Sequence, residues 1–275
     1  MKTILRILCL FSMALASQAS AEETLRALKS RGELIGWEAV GRVDLRGEGY
    51  CTGALIASDL VLTAAHCVFE RKTGKLLDAG SIRFNAGYVS GASFAARGVN
   101  RVVANARYVP SRDGKISGNM MLHDVALLRL DSPISPSEAN PFAIYSDPRP
   151  GEKVSVLSYG RGRSEHLSWQ RDCGLLSRGR GLMTFDCNVT YGSSGAPVFA
   201  RYGDRVRILS LVSAMDKDAQ GQTIAFGMEL PAVVAELKRR MRTGDAAPVR
   251  VNSGAKRIKI GTRKSTTGAK FIRVD

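Results

Sequence analysis

Gly192-Ser193-Ser194-Gly195-Ala196-Pro197 leads directly into the apolar run Val198-Phe199-Ala200. Glycine at 192 and at 195 permits a tight turn and lets another backbone come close. In isolation a Gly/Ser turn of this kind is an ordinary loop. Two upstream blocks change its reading: Thr63-Ala64-Ala65-His66-Cys67 and His123-Asp124-Val125-Ala126-Leu127-Leu128. A serine hydroxyl is a weak nucleophile until a neighbouring base takes its proton. An imidazole, with an ordinary pKa of about 6.5, is mostly neutral near pH 7 and suits that task. A buried carboxylate fixes the imidazole tautomer and stabilises the imidazolium that forms. The parts of such a relay occur here in the order His, Asp, Ser.

Outward from these blocks the chain reads as a series of short strands. Val40 to Leu45 alternates, and Gly53 to Ala57 and Leu60 to Leu62 are apolar runs parted by Ser58-Asp59. Ser81 to Tyr88, Val99 to Ala104 and Val125 to Leu130 continue the pattern. After a proline-rich connection from Ser132 to Pro150 it resumes at Val154 to Tyr159, Leu182 to Phe185, Ala196 to Arg201, Val206 to Ser213 and Thr223 to Met228. Pro231 to Arg242 has helical periodicity, with proline in its first turn. Leu25 and Leu28 give Glu22 to Glu33 a helical spacing as well, as a short pro-segment or an exposed helix. Periodicity by itself yields an all-β chain.

The four blocks Cys51 to Ile56, Thr63 to Cys67, Asp124 to Leu128 and Gly192 to Pro197, with Ile208 to Ser213, resemble the chymotrypsin/trypsin-like serine proteases. The resemblance covers residues 38 to 242. It implies two antiparallel Greek-key β-barrels with the active site between them and a C-terminal helix. Expected units are a first barrel at 38–135, a second at 136–230 and the helix at 231–242. It implies Ser194 as nucleophile, His66 as general base and Asp124 as the orienting carboxylate. The N–H groups of Gly192 and Ser194 would form the oxyanion hole, and the Ser213 hydroxyl would support Asp124. Ser193 occupies the place before the nucleophile. His123 and His166 fall outside the matching blocks and read as surface or loop residues.

Two departures refine this. The trypsin-like branch carries an Asp before the nucleophile, which pairs with a new N-terminus after cleavage; Ser193 cannot form that ion pair. The chain therefore leans towards the bacterial glutamyl-endopeptidase-like branch. The primary specificity pocket is expected at Asn188 and Val212. Asn188 stands where trypsin has its acid, and Val212 where glutamyl enzymes carry histidine. Burying an unpaired Lys or Arg side chain there would cost several kcal/mol, so an uncharged preference is expected.

The N-terminus reads as an export signal at residues 1–21. Lys2 and Arg6 precede an apolar run from Ile7 to Leu15, and Ala19-Ser20-Ala21 precedes Glu22. The run is too short to span a membrane. A secreted or periplasmic protein is expected, with a segment at 22–37 that remains or is removed. Cys9 would leave with the signal. Cys51, Cys67, Cys173 and Cys187 then allow two disulfides in three connectivities. The resemblance implies Cys51–Cys67, and Cys173–Cys187 is expected as a local pair in the other half. No Cys-x-x-Cys pair exists, so no metal site is read, and no cofactor is expected.

The chain has 275 residues, with 40 Lys and Arg against 25 Asp and Glu, a formal charge of +15. That favours solubility and a weak attraction to anionic surfaces. The basic residues are scattered and aromatics few, so specific nucleic-acid binding is not expected. A basic tail at 243–275 reads chiefly as solvated chain. The function expected is a monomeric secreted serine endopeptidase acting on protein or peptide substrates through an acyl-enzyme. The alternative is a catalytically silent binding protein on the same fold. An α/β-hydrolase esterase is disfavoured, because it needs Gly-x-Ser-x-Gly between strand and helix, with Ser before His.

Overall fold

The computed structural model describes residues 25–111, 116–145 and 151–244. The expected signal at 1–21 and the basic tail beyond Gly244 lie outside the described residues. Among the described residues the first element is β1 (Arg26–Leu28), and a closed six-stranded barrel follows. Its strands are β2 (Val40–Leu45), β3 (Gly49–Ala57), β4 (Leu60–Thr63), β5 (Ile82–Ala86), β6 (Ala95–Ala104) and β7 (Ala126–Leu130). They close in the order β2-β3-β4-β7-β6-β5, all antiparallel. A six-residue helix, α1 (Gly118–His123), precedes β7.

The pattern of burial explains the strand sequences. Val43 and Leu45 of β2 point into the barrel core, while Arg42 and Asp44, which alternate with them, face outward. β4 and β7 are apolar apart from Thr63 and Arg129 because both of their faces are covered. Val61, Ala126 and Leu128 fill the barrel, whereas Leu60, Leu62 and Leu127 pack against the second half.

The second half is a sheet formed by β8 (Lys153–Ser158), β9 (Leu167–Gly179), β10 (Leu182–Phe185), β11 (Pro197–Tyr202), β12 (Arg205–Leu211), β13 (Ala214–Lys217) and β14 (Thr223–Met228), with β1 added. Its ladder runs β12-β11-β8-β9-β10-β14-β13. The end strands β12 and β13 are consecutive in the chain, separated only by Val212 and Ser213, so the sheet must curl back on itself. Its core holds Val156, Leu175, Phe185, Val198 and Leu209.

The helical spacing of the N-terminal segment is not realised in its described part. Residues Arg26–Leu28 pair instead with Trp169, Ser168 and Leu167 of β9. Strand β10 covers only Leu175 to Gly179 of that long strand. The start of β9 therefore keeps an open edge, and β1 satisfies it. Leu28 is fully buried as a result.

Between the halves lies a third apolar layer joining Leu62, Val103 and Leu127 to Leu157, Phe199, Ile208 and Leu237. Trp37 is its aromatic centre, with ring centroids 5.2 Å from Trp169, 5.2 Å from Phe199 and 6.1 Å from Phe142. Helix α2 (Pro231–Thr243) begins with proline in its first turn and ends at Gly244, whose φ is +89°. Its buried Arg240 donates from Nη1 to the Ala104 carbonyl at 2.8 Å, fastening the second half onto the first barrel.

Because Trp37 touches the segment before the barrel, the crossover and the second sheet, it acts on both halves at once. Trp37→Ala is expected to cost about 3 kcal/mol of unfolding free energy. Urea denaturation should show the loss in a single shared transition; a change below about 1 kcal/mol would contradict it.

Candidate active site

His66 sits in the 3₁₀ turn Ala65–Val68, directly after β4. Cys67 joins Cys51 of β3 at an S–S distance of 2.04 Å, so the turn cannot swing away from the barrel. Asp124 caps the C-terminus of α1 and is 3 % exposed. Its Oδ1 accepts the His66 backbone N–H at 2.8 Å, and its Oδ2 meets His66 Nδ1 at 2.7 Å. The Ser213 hydroxyl donates to the same Oδ2 at 2.5 Å. With Asp124 accepting at Nδ1, the Nδ1–H tautomer is favoured, which leaves Nε2 free to take a proton.

Burial is the strongest single influence on His66 and disfavours its charged form. The charge and hydrogen bond of Asp124 together outweigh that burial, and His66 titrates above its ordinary value. Arg71 opposes the rise only weakly.

Ser194 stands on the turn before β11, where Gly192 has φ +88° and Gly195 +75°. Both glycines are required by close contacts. A Cβ on Gly195 would collide with Thr63 Oγ1 and the Thr52 carbonyl, and would lie 2.8 Å from Ala64 N. One on Gly192 would lie 2.5 Å from the Tyr159 carbonyl and 2.5 Å from the Tyr50 ring. The turn is thus pressed against the strand and loop that carry His66.

Its peptide orientations follow from the hydrogen bonds around it. The Tyr191 carbonyl accepts from Arg161 N at 2.7 Å, and the Ser193 carbonyl from Ala196 N at 2.9 Å. In a trans peptide the N–H points opposite to its carbonyl, so the Gly192 and Ser194 N–H groups face away from these partners. Among the described residues neither N–H donates to a backbone carbonyl.

His66, Asp124, Ser194 and Ser213 line one cleft of about 430 Å³, together with Val189 and Met215. No hydrogen bond among the described residues joins the Ser194 hydroxyl to the imidazole. Such bonds are often long in unliganded sites and tighten when substrate binds. His123 instead bonds the Asn119 carbonyl at 2.8 Å, and His166 bridges Val89; neither lines the cleft.

The expected pocket residues part company. Val212 lines the cleft, but Asn188 is exposed and does not. Cys187 is held inward by its disulfide to Cys173, and Val189 is buried on the other side. The residue between two inward neighbours on extended chain faces out, and the Asn188 N–H meets Gln170 Oε1 at 2.6 Å. Val189 and Thr190 supply the wall instead. Among the described residues two groups bring Cys close to His or Asp, Cys51/His66/Cys67 and Cys173/Asp186/Cys187. Their sulfurs are disulfide-bonded and offer no thiolate to a metal.

The hydrogen-bonding roles of three positions escaped the sequence reading. Thr52 donates its N–H to the Ser194 carbonyl and its hydroxyl to the Gly192 carbonyl, both at 2.9 Å, and accepts from Tyr159 N at 3.0 Å. Ser193, fully buried, donates to Ser158 Oγ at 3.0 Å and accepts from Thr190 N at 3.3 Å. Arg163 in turn reaches Ser158 Oγ at 3.5 Å. A buried Thr directly after Cys51, in an otherwise apolar strand, was the one available signal.

The family model described as a trypsin-like peptidase domain matches residues 51–206. Serine protease SP24D of Anopheles gambiae is 39% identical over 121 residues, covering 42% of this chain and 40% of that protein. Serine protease 23 of Bos taurus is 27% identical over 181 residues, 56% of this chain and 44% of that protein. The chain thus spans less than half the length of these two relatives. Trypsin Blo t 3 of Blomia tropicalis is 24% identical over 213 residues, 71% and 74% of the two chains. Among solved structures, a Glu endopeptidase in complex with MPD superposes with a TM-score of 0.60 at 18% identity, over 75% of this chain and 91% of that one. The thermostable serine protease AL20 gives 0.59 at 20%, over 75% and 97%. At these identities the structural likeness is one of fold.

The sign of the His66 shift sets a test. A raised folded-state pKa means that the His66–Asp124 pair adds its full stability below the unfolded value of about 6.5. That contribution is lost as pH rises through the higher folded value. NMR should place the imidazole midpoint above about 6.5 in the native protein and below it in Asp124→Asn, where burial and Arg71 act without the carboxylate's charge. Equal midpoints would refute the balance described.

Proposed function

The chain belongs to the trypsin-like peptidase family, and on that premise we propose that it is an exported serine endopeptidase acting through an acyl-enzyme on Ser194. One observation carries the reading: buried Asp124 holds both the backbone N–H and Nδ1 of His66 within the cleft that Ser194 lines. The Ser194 hydroxyl attacks the scissile carbonyl while His66 Nε2 takes its proton. Asp124 stabilises the imidazolium without taking the proton itself. The Gly192 and Ser194 N–H groups receive the oxyanion, where one such donor contributes about 3 kcal/mol of transition-state stabilisation. His66 then protonates the departing amine, and water repeats the sequence to release the acyl group.

The wall from Val212 to Met215 receives the residues before the scissile bond. With Val189, Val212 and Met215 lining it, an uncharged side chain suits it. We assign the first barrel to 38–135, the second to 136–230 and the closing helix to 231–242. Burial of Leu28, Leu34 and Trp37's cluster supports retention of the segment before the first barrel in the mature enzyme. The buried hydroxyl pair Ser193–Ser158 takes the place of an activating ion pair, so a newly cut N-terminus is not needed. Two disulfides fit an oxidising compartment, in line with an export signal at 1–21.

A fluorophosphonate probe should label the purified protein at Ser194, with labelling absent in Ser194→Ala. Peptide turnover should fall about 10⁶-fold in Ser194→Ala and about 10⁴-fold in Asp124→Asn. A folded protein that ignores the probe and cleaves no member of a peptide library would leave the silent binding protein as the better description.

A further inference from the structure

A second cavity, of about 540 Å³, lies on the outer face of the first barrel and shares no lining residue with the catalytic cleft. Arg42, Asp44, Arg46, Tyr50, Arg83 and Glu165 form most of its polar wall. Its two carboxylates are already engaged. Arg42 grips Asp44 through Nε at 2.7 Å and Nη2 at 3.2 Å, and reaches Glu165 through Nη1 at 3.2 Å. Asn85 donates to Asp44 and the Tyr88 hydroxyl to Glu165, each at 2.8 Å. Arg46 and Arg83 are different. Both are exposed, and no salt bridge among the described residues includes either. Arg42, Arg46 and Arg83 set against Asp44 and Glu165 leave the cavity wall with one net positive charge, and its two exposed arginines have no salt-bridge partner among the described residues.

Tyr50 connects this cavity to the reaction centre. Its ring abuts Gly192, and Tyr191, the residue before Gly192, lines the catalytic cleft. In the strand ladder Asp44 stands opposite Tyr50, and Arg83 stands opposite Asp44. Arg83 is thus two strand spacings, about 10 Å, beyond Tyr50. An extended peptide advances about 3.3 Å per residue, so three residues cover that distance.

We propose that this cavity is an exosite for an acidic stretch of the protein substrate, at the third to fifth residues after the scissile bond. The inference rests on the peptidase reading, since the wall from Val212 to Met215 takes the other flank of the substrate. Arg46 and Arg83 meet the carboxylates directly, and Tyr50 guides the departing flank between the two sites. Charge pairs at such an exposed rim steer and hold substrate without entering the chemistry, and they weaken in salt.

The test compares two peptides identical through the second residue after the scissile bond, then carrying either Asp/Glu or Ser/Asn at the third to fifth. The protein should favour the acidic peptide about fivefold in kcat/KM, chiefly through KM, from two exposed pairs. The preference should vanish in about 1 M salt, where the Debye length is about 3 Å. In the Arg46→Ala/Arg83→Ala variant it should fall to about one, while a short chromogenic substrate ending at the scissile bond is cleaved as before. A preference that survives in the double variant, or is absent in the wild type, overturns the exosite. Failure to cleave even the short substrate overturns the peptidase reading separately. In that event, fluorescence anisotropy of the acidic peptide against protein with and without Arg46 and Arg83 still decides the site. Binding of a sulfated glycan there, with no discrimination between the peptides, also overturns it.

Discussion

Thr52 is the point on which the two halves depend. Its N–H and hydroxyl both reach across to the nucleophile turn, and its hydroxyl also receives the Tyr159 N–H from the second sheet. Three hydrogen bonds from one buried residue fix the turn against the first barrel. The missing Cβ of Gly195 lets that contact be close, because any side chain there would strike Thr52, Thr63 and Ala64. Neither half can therefore shift without disturbing the peptides that flank Ser194. The apolar layer around Trp37 holds the halves together, but it is non-directional; Thr52 supplies the orientation.

The electrostatics of the site divide between one strong pair and a neutral network. Removing the imidazole from water disfavours its charged form, and the adjacent Asp124 more than compensates. The Ser213 hydroxyl and the His66 backbone N–H both donate to the carboxylate and fix its position beside the imidazole. On the opposite side of the nucleophile, Ser193 and Ser158 carry hydroxyls where a charge would need a buried counter-ion. A buried ion pair loses heavily to desolvation unless its geometry is excellent. Hydroxyls avoid that cost and still satisfy the Thr190 N–H.

The parts of this arrangement legible in the sequence are those carried by residue type and spacing. Alternation at Val40 to Leu45 and the apolar runs at Leu60 and Val125 marked strands of the first half, the family resemblance implied that they form a barrel, and proline at 231 marked the closing helix. The blocks around His66, Asp124 and Ser194 pointed to side chains that one cleft does bring together. What stayed hidden was set by long-range pairing. Leu25 and Leu28 fit a helix as well as a strand, and only the open edge of β9 decides for the strand. Asn188 has the right offset from Ser194, but the disulfide at Cys187 turns it outward. The hydrogen bonds of Thr52 and Ser193 are not readable in sequence because their partners lie 140 and 35 residues away.

The pairing of β2 with β3 shows why site and outer cavity cannot vary independently. Side chains alternate along β2, so Val43 and Leu45 enter the core while Arg42 and Asp44 face the cavity. A slip of one residue would bury the charges and expose the core. The register that prevents it sets Arg42 opposite Thr52, Val43 opposite Cys51 and Asp44 opposite Tyr50. Cys51 is tied to Cys67 beside His66, Thr52 to the nucleophile turn, and the Tyr50 ring to Gly192. Three consecutive residues of one strand thus anchor the histidine loop, the nucleophile turn and the wall between the two cavities. Any change that shifts β3 must move all three together, so substrate contacts made by the outer face are held in a fixed relation to the reacting serine.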